Sequence, residues 1–191
     1  ETIRTTIIYN NSNVKIAGHH CGIVTGPDGA THQATEDIAI TRAWPNITVI
    51  VPCDAIEAKK ATVKAAELEG PVYLRFTRDK TPVITTDETQ FEVGKIQTFW
   101  ESDPSTGSRP QAVIFATGHI LYNALVAAKS LENENVQVIV ANVSTIKPLD
   151  EKKILELVSK IPAVVTVEDH QVTGGLGGAI AEFLAKSKPT P

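Results

Sequence analysis

Short β-branched runs alternate with helical patterns along this chain, and that alternation restricts its fold more than any single residue does. In the second half, residues 112–116 (Ala-Val-Ile-Phe-Ala), 136–141 and 163–167 each read as a buried strand. Helical stretches separate and follow them: residues 120–131, with Leu121, Leu125 and Ala128 on one face, residues 149–160, with Ile154, Leu157 and Val158, and residues 179–185. Strands joined in this way pair in parallel through right-handed crossovers, so the helices must cover the sheet. The first half repeats the pattern. Residues 14–17, 47–51 and 72–76 read as strands, and helices are expected from about residue 34 to Ala43, with Thr31 or Thr35 as N-cap, and over 55–68. Asp54 is placed to cap the second of these helices, and Glu57, Lys59, Lys60, Lys64 and Glu67 read as its solvent-side charges. The expected fold class is therefore α/β, as two consecutive three-layer α/β units with mainly parallel sheets.

Between the halves the composition changes. Prolines, threonines and serines replace the helical periodicity, residues 91–93 and 96–100 read as short extended pieces, and residues 103–108 as a loop. The expected division is a unit over 1–80, a linker over 81–110 and a second unit over 111–191. Ile3, Ile7 and Ile8 suggest the tail of an amphipathic helix. The chain starts at Glu1 and has no methionine, which reads as a piece of something longer. A net charge of −4 offers no pull towards nucleic acid or an anionic membrane surface, and no apolar run approaches a bilayer span. Two widely spaced cysteines fit reduced thiols in a cytoplasmic protein, with Cys53 as a small buried apolar residue.

The chemistry concentrates in residues 18–33, Gly-His-His-Cys-Gly-Ile-Val-Thr-Gly-Pro-Asp-Gly-Ala-Thr-His-Gln. This stretch leaves the C-terminal end of a strand, where parallel α/β sheets place their ligands. Its glycines and proline shape a loop that holds three of the five histidines, with Asp28 and Cys21. Imidazoles beside a carboxylate suit holding an anionic or polyhydroxylated substrate and moving its protons. Loop histidines that merely satisfy backbone carbonyls are the plain alternative. A metal site is disfavoured, because no second spaced ligand pair completes a set. Arg78, at the end of a later strand, can reach the same rim.

Residues 26–39, Gly-Pro-Asp-Gly-Ala-Thr-His-Gln-Ala-Thr-Glu-Asp-Ile-Ala, followed by Arg42, Pro45-Asn46 and residues 49–55, Val-Ile-Val-Pro-Cys-Asp-Ala, resemble the transketolase family. That family transfers a two-carbon ketol unit between sugar phosphates with thiamine diphosphate and Mg2+. The resemblance implies a partial pyrimidine-binding domain followed by a transketolase C-terminal-like domain truncated at its end. It implies His20 and Arg78 as phosphate-binding residues, and His32 and Asp28 as residues near the reacting carbons that assist proton movement. His170 is a candidate at the active-site entrance. The cofactor and metal would be held mainly by parts outside this sequence, on a diphosphate-binding N-terminal domain or subunit, and a homodimer is expected. The isolated chain is accordingly expected to be inactive.

Three alternatives stay open at this level. One is a non-catalytic α/β dimerisation or binding module. Within the superfamily, a deoxyxylulose-phosphate synthase-like portion or a 2-oxoacid dehydrogenase β subunit would share parts of the pattern. The glycine run at residues 174–178 invites a phosphate-binding reading, but its spacing departs from the dinucleotide fingerprint, and a tight turn that packs a helix on a strand is expected instead.

Overall fold

The computed structural model describes residues 1–101, 109–159, 161 and 163–189. The loop expected at residues 103–108 lies outside the described residues. Two four-stranded sheets with flanking helices form an α/β architecture. The first sheet has the order β1-β3-β2-β7, from β1 (Lys15–Gly18), β2 (Thr48–Ile50), β3 (Val72–Arg75) and β7 (Thr145–Lys147). The second has the order β4-β6-β5-β8, from β4 (Gln97–Glu101), β5 (Ala112–Ala116), β6 (Val138–Asn142) and β8 (Ala163–Val167). β1, β2 and β3 pair in parallel, as do β5, β6 and β8; β7 and β4 are antiparallel edge strands.

The expected strands therefore form, the extended piece expected at residues 96–100 becomes the edge strand β4, and one further edge strand, β7, adds to them. β4 lies inside the stretch expected to be a linker, where Ile96 is buried and residues 91–93 take no strand pairing. β7 was not expected as a strand; it leaves the second half of the chain and pairs with β2 of the first sheet. The sheets meet in one core. Val49, Val51 and Tyr73 from the first pack in the same cluster as Val113, Phe115 and Ile139 from the second, with Ile146, Ile154 and Ile180.

Helix α2 (Ala55–Glu67) starts as expected at Asp54, which accepts a hydrogen bond from the Glu57 amide at 2.9 Å. The expectation for Glu57 itself is overturned. Its side chain is 3% exposed, and its two oxygens accept from the Cys53 amide at 2.6 Å and from Asn142 Nδ2 on β6 at 2.8 Å. Burial raises its carboxyl above the ordinary range, against the pull of these hydrogen bonds. Helical spacing alone put Glu57 at the helix surface; the second sheet covers that turn.

Helix α1 (Asp37–Ala43) has Glu36 at its N-cap, with neither Thr31 nor Thr35 capping it. The Thr35 hydroxyl donates instead to the Glu36 carboxylate at 3.1 Å. α3 (Leu121–Asn133) buries Leu121, Ala124 and Ala128, with Leu125 partly covered. α4 (Glu151–Val158) follows an Asp150 cap and buries Ile154, Leu157 and Val158. α5 (Leu176–Ser187) begins three residues before the expected start. The first nine residues turn through Ile3–Ile8, of which Ile8 alone is buried. No helix among the described residues is long and apolar enough to cross a membrane.

Candidate functional site

β1 and β3 pair in register from Lys15 with Val72 to Gly18 with Arg75, so their C-terminal ends lie side by side. The loop leaving β1 and the residues leaving β3 must therefore share one rim of the sheet. Gly18 is required at the exit, because a Cβ there would sit 2.3 Å from the Tyr73 hydroxyl oxygen. The chain then turns through His20, whose φ of 62° is uncommon for a residue with a side chain, and the Thr25 hydroxyl holds the turn by donating to the His20 carbonyl at 2.8 Å. A short 3-10 segment, Ile23–Asp28, carries the loop on to Asp28.

There the expected residues meet. Asp28 Oδ2 lies 4.0 Å from His20 Nε2 and 3.3 Å from Arg78 Nε, and Arg78 Nη1 donates to the Thr25 carbonyl at 3.2 Å. The side chains of His20 and Arg78 are 46% and 36% exposed, so the cluster opens to solvent. A guanidinium has five N–H donors, and these two contacts leave others for a ligand.

His32 is not joined to this group among the described residues. Its Nδ1 lies 2.9 Å from the Thr31 hydroxyl, and the residue is exposed on the same loop. His19 packs its ring against Phe76 at 5.2 Å. Cys21 is buried, its thiol directed at the Gly18 carbonyl at 3.6 Å, and burial pushes its pKa up to about 11, which keeps it a protonated thiol. Among the described residues no three His, Cys, Asp or Glu side chains come together as a metal donor set.

The His170 side chain is 0% exposed in this chain. Its Nδ1 lies 2.7 Å from the Gln171 carbonyl and its Nε2 faces the Ala39 amide at 3.4 Å, with the Asp37 and Glu168 carboxylates each 3.9 Å from a ring nitrogen. The glycine run at residues 174–178 has no free helix N-terminus to offer a phosphate. The Glu168 carboxylate already accepts from the Leu176 and Gly177 amides at 2.6 and 2.9 Å. A tight turn is the observed role: a Cβ on Gly175 would fall 2.0 Å from Glu168 Oε2.

A buried polar network beneath the loop was not anticipated. Arg75 donates from Nε to Asp37 Oδ2 at 2.8 Å and from Nη2 to the carbonyls of Ala34 at 3.1 Å and Asp169 at 2.9 Å. The Tyr73 hydroxyl donates to the same Asp37 oxygen at 2.7 Å. Burial alone would raise the Asp37 carboxyl, but the Arg75 charge and these donors outweigh it and hold the group below its ordinary range. An arginine inside the strand Val-Tyr-Leu-Arg-Phe was the available signal, since a charge in a buried strand needs a partner.

Two family models match the chain: the transketolase pyrimidine-binding domain over residues 1–83, and the transketolase C-terminal domain over residues 106–190. The chain belongs to the transketolase family. A Methanocaldococcus jannaschii protein whose name describes a transketolase C-terminal section is 42% identical over 98% of this chain and 57% of its own length. A 6-deoxy-6-sulfo-D-fructose transketolase subunit from Clostridium sp. strain MSTE9 is 35% identical over all of this chain and 57% of its own. A solved structure described as a split gene transketolase, inactive beta4 tetramer, superposes with a TM-score of 0.88 at 39% identity, covering 100% of this chain and 59% of that one. The chain thus spans a little over half the length of these relatives, which are transketolase C-terminal sections and subunits.

Proposed function

We propose that this chain is the C-terminal subunit or part of a thiamine-diphosphate-dependent transketolase, whose complete assembly moves a two-carbon ketol unit between sugar phosphates. Residues 1–80 act as the pyrimidine-domain unit and 111–191 as the C-terminal unit, joined by 81–110. The observation that carries the reading is the placement of Asp28 between the His20 imidazole and the Arg78 guanidinium, at the shared end of β1 and β3.

Arg78 holds the substrate phosphate through its planar donor fork, and His20 adds a second donor beside it. Asp28 orients the His20 and Arg78 side chains and accepts from a substrate hydroxyl. His32, exposed further along the loop, donates to or accepts from hydroxyls near the reacting carbons and moves a proton there. Thiamine diphosphate, when bound, would supply the nucleophilic carbon for transfer of the two-carbon unit. Cofactor and metal are assigned mainly to a diphosphate-binding N-terminal domain or subunit, as the family membership implies. Self-association of this chain, expected to be a homodimer, completes the assembly; the relative described as a beta4 tetramer supports self-association in general.

The test combines this chain with such a partner, thiamine diphosphate, Mg2+, xylulose 5-phosphate and ribose 5-phosphate. Ketol transfer is expected from the mixture and not from the 191 residues alone. Arg78→Ala is expected to raise KM for the sugar phosphates about 10- to 100-fold, the loss of a charge-assisted bond. His32→Ala is expected to lower kcat about 100-fold. Transfer by the isolated chain, or a reconstituted enzyme indifferent to both substitutions, overturns the proposal.

A further inference from the structure

The segment after β8 crosses to the functional loop and holds both of its ends. At the start of the loop, Asp169 Oδ1 accepts from the Ile23 amide at 3.0 Å, the residue that opens the segment Ile23–Asp28. At the far end, the Gln171 amide donates to the Thr35 carbonyl at 2.9 Å and its side chain to Glu36 Oε1 at 3.1 Å. Arg75 ties the same two segments from beneath, through the carbonyls of Ala34 and Asp169. The loop is therefore clamped near its start and where it enters α1, while His32 rides on an exposed stretch between the two ties.

Asp169 is the unusual member. Its side chain is 7% exposed, and its Oδ2 is buried without a hydrogen-bond donor; His119 Nε2 stands 3.6 Å away. A buried carboxylate with one oxygen unsatisfied is costly, so a purely space-filling role is poorly served by it. Gly22 lies directly on this carboxylate: a Cβ there would fall 1.9 Å from Oδ2, and its φ of 78° favours glycine. The backbone therefore enters the Ile23–Asp28 turn in a conformation fitted to the Asp169 oxygens, and that turn ends at the carboxylate facing His20 and Arg78.

We infer that Asp169 is a positioning residue: through the Ile23 amide it sets the turn that places Asp28 against His20 and Arg78, so the second sheet shapes a substrate rim built on the first. The use assigned to it rests on reading that rim as the sugar-phosphate site. The experiment has two arms. In the first, hydrogen exchange of the chain alone is followed for peptides covering residues 19–33 and for the strands β5 and β6, in wild type, Asp169→Leu and Asp169→Asn. Leucine fills the space without an acceptor, and asparagine keeps one oxygen for Ile23.

Asp169→Leu is expected to speed exchange in the 19–33 peptides about tenfold or more with β5 and β6 unchanged, and Asp169→Asn to restore most of the protection. Equal loosening of the strands, or no change in the loop, overturns the inference. Because the leucine variant could fail to fold, the wild-type chain supplies a second measurement: a through-hydrogen-bond NMR coupling between the Ile23 nitrogen and the Asp169 side-chain carboxyl carbon. Its presence supports the tie and its absence overturns it.

In the second arm, the reconstituted enzyme is assayed. Asp169→Leu is expected to raise sugar-phosphate KM about tenfold while kcat stays within about threefold, and Asp169→Asn to recover it. A loosened loop with an unchanged KM overturns the rim reading, and with it the use assigned to Asp169, but leaves the tie itself standing.

Discussion

Replacing Glu57 tests how the two sheets are joined. The carboxyl group sits at the seam, accepting from the Cys53 amide and from Asn142 Nδ2, while Asn142 Oδ1 is buried with no donor. Glutamine has nearly the same shape. Its oxygen keeps the Cys53 amide, and its NH2 serves Asn142 Oδ1 once that amide turns over; Asn142 Nδ2 then takes the place where Oδ1 now lacks a donor, so the number of buried groups without a partner does not rise. Glu57→Gln is therefore expected to match or exceed the wild type at pH 7 by about 1 kcal/mol, because it also removes an ionisable group from the interior. Glu57→Ala strands the Cys53 amide and the Asn142 side chain and opens a cavity, for a loss of about 2–5 kcal/mol. For a chain of this length that corresponds to a fall in Tm of about 5–15 °C.

The pH dependence gives the sharper reading. The folded carboxyl has a pKa above the ordinary 4.5, so the folded state holds its proton where the unfolded chain has lost it. Its contribution to stability is full below the ordinary value and is lost as pH rises through the folded value. The advantage of Glu57→Gln should therefore grow from pH 4.5 towards neutrality. Thermal unfolding followed by circular dichroism at matched scan rates, from pH 4.5 to 8, measures it. A glutamine variant more than about 2 kcal/mol less stable at pH 7, or a difference that does not change with pH, would refute the reasoning.

Arg75→Met removes the guanidinium beside the buried Asp37 carboxylate, which keeps the Tyr73 hydroxyl, and one donor from each of the Ala34 and Asp169 carbonyls, and is expected to cost about 3–5 kcal/mol in urea unfolding; adding Asp37→Asn should recover part of that, and strict additivity would show that the two side chains do not interact. His119, at the edge of a cavity of about 410 Å3 lined also by Cys53, Thr77 and Lys80, has its pKa lowered chiefly by burial and secondarily by Arg75, against the opposing pull of Asp169. Its neutral form is favoured in the fold, so its contribution is full above the ordinary 6.5 and is lost as pH falls through the lower folded value. His119→Gln should flatten the acid side of the Tm profile between pH 5 and 7, and an unaltered profile would contradict this.

Most of the sheet architecture was legible because strand runs such as residues 112–116 and 163–167 are continuous and β-branched, and parallel pairing follows from the helices between them. The edge strands were harder to read. Residues 145–147 are too short for periodicity to register, and their pairing with β2 is a tertiary fact. The grouping of His20, Asp28 and Arg78 was partly legible, because a loop leaving one parallel strand and an arginine leaving its neighbour can share a rim. His170 could not be placed, because an imidazole looks the same in a sequence whether it faces a cleft or, as here, a helix amide. Asp169 was hidden for a similar reason, its partner being the backbone of a residue 146 positions away.

The antiparallel pairing of β7 with β2 carries a consequence for how this chain comes off the ribosome. The first three strands of one sheet are synthesised together, yet the neighbour that closes the far side of Val49 and Ile50 arrives about a hundred residues later. Until then an apolar edge stands open in the nascent polypeptide, and severing the chain between the two halves would strand it there permanently.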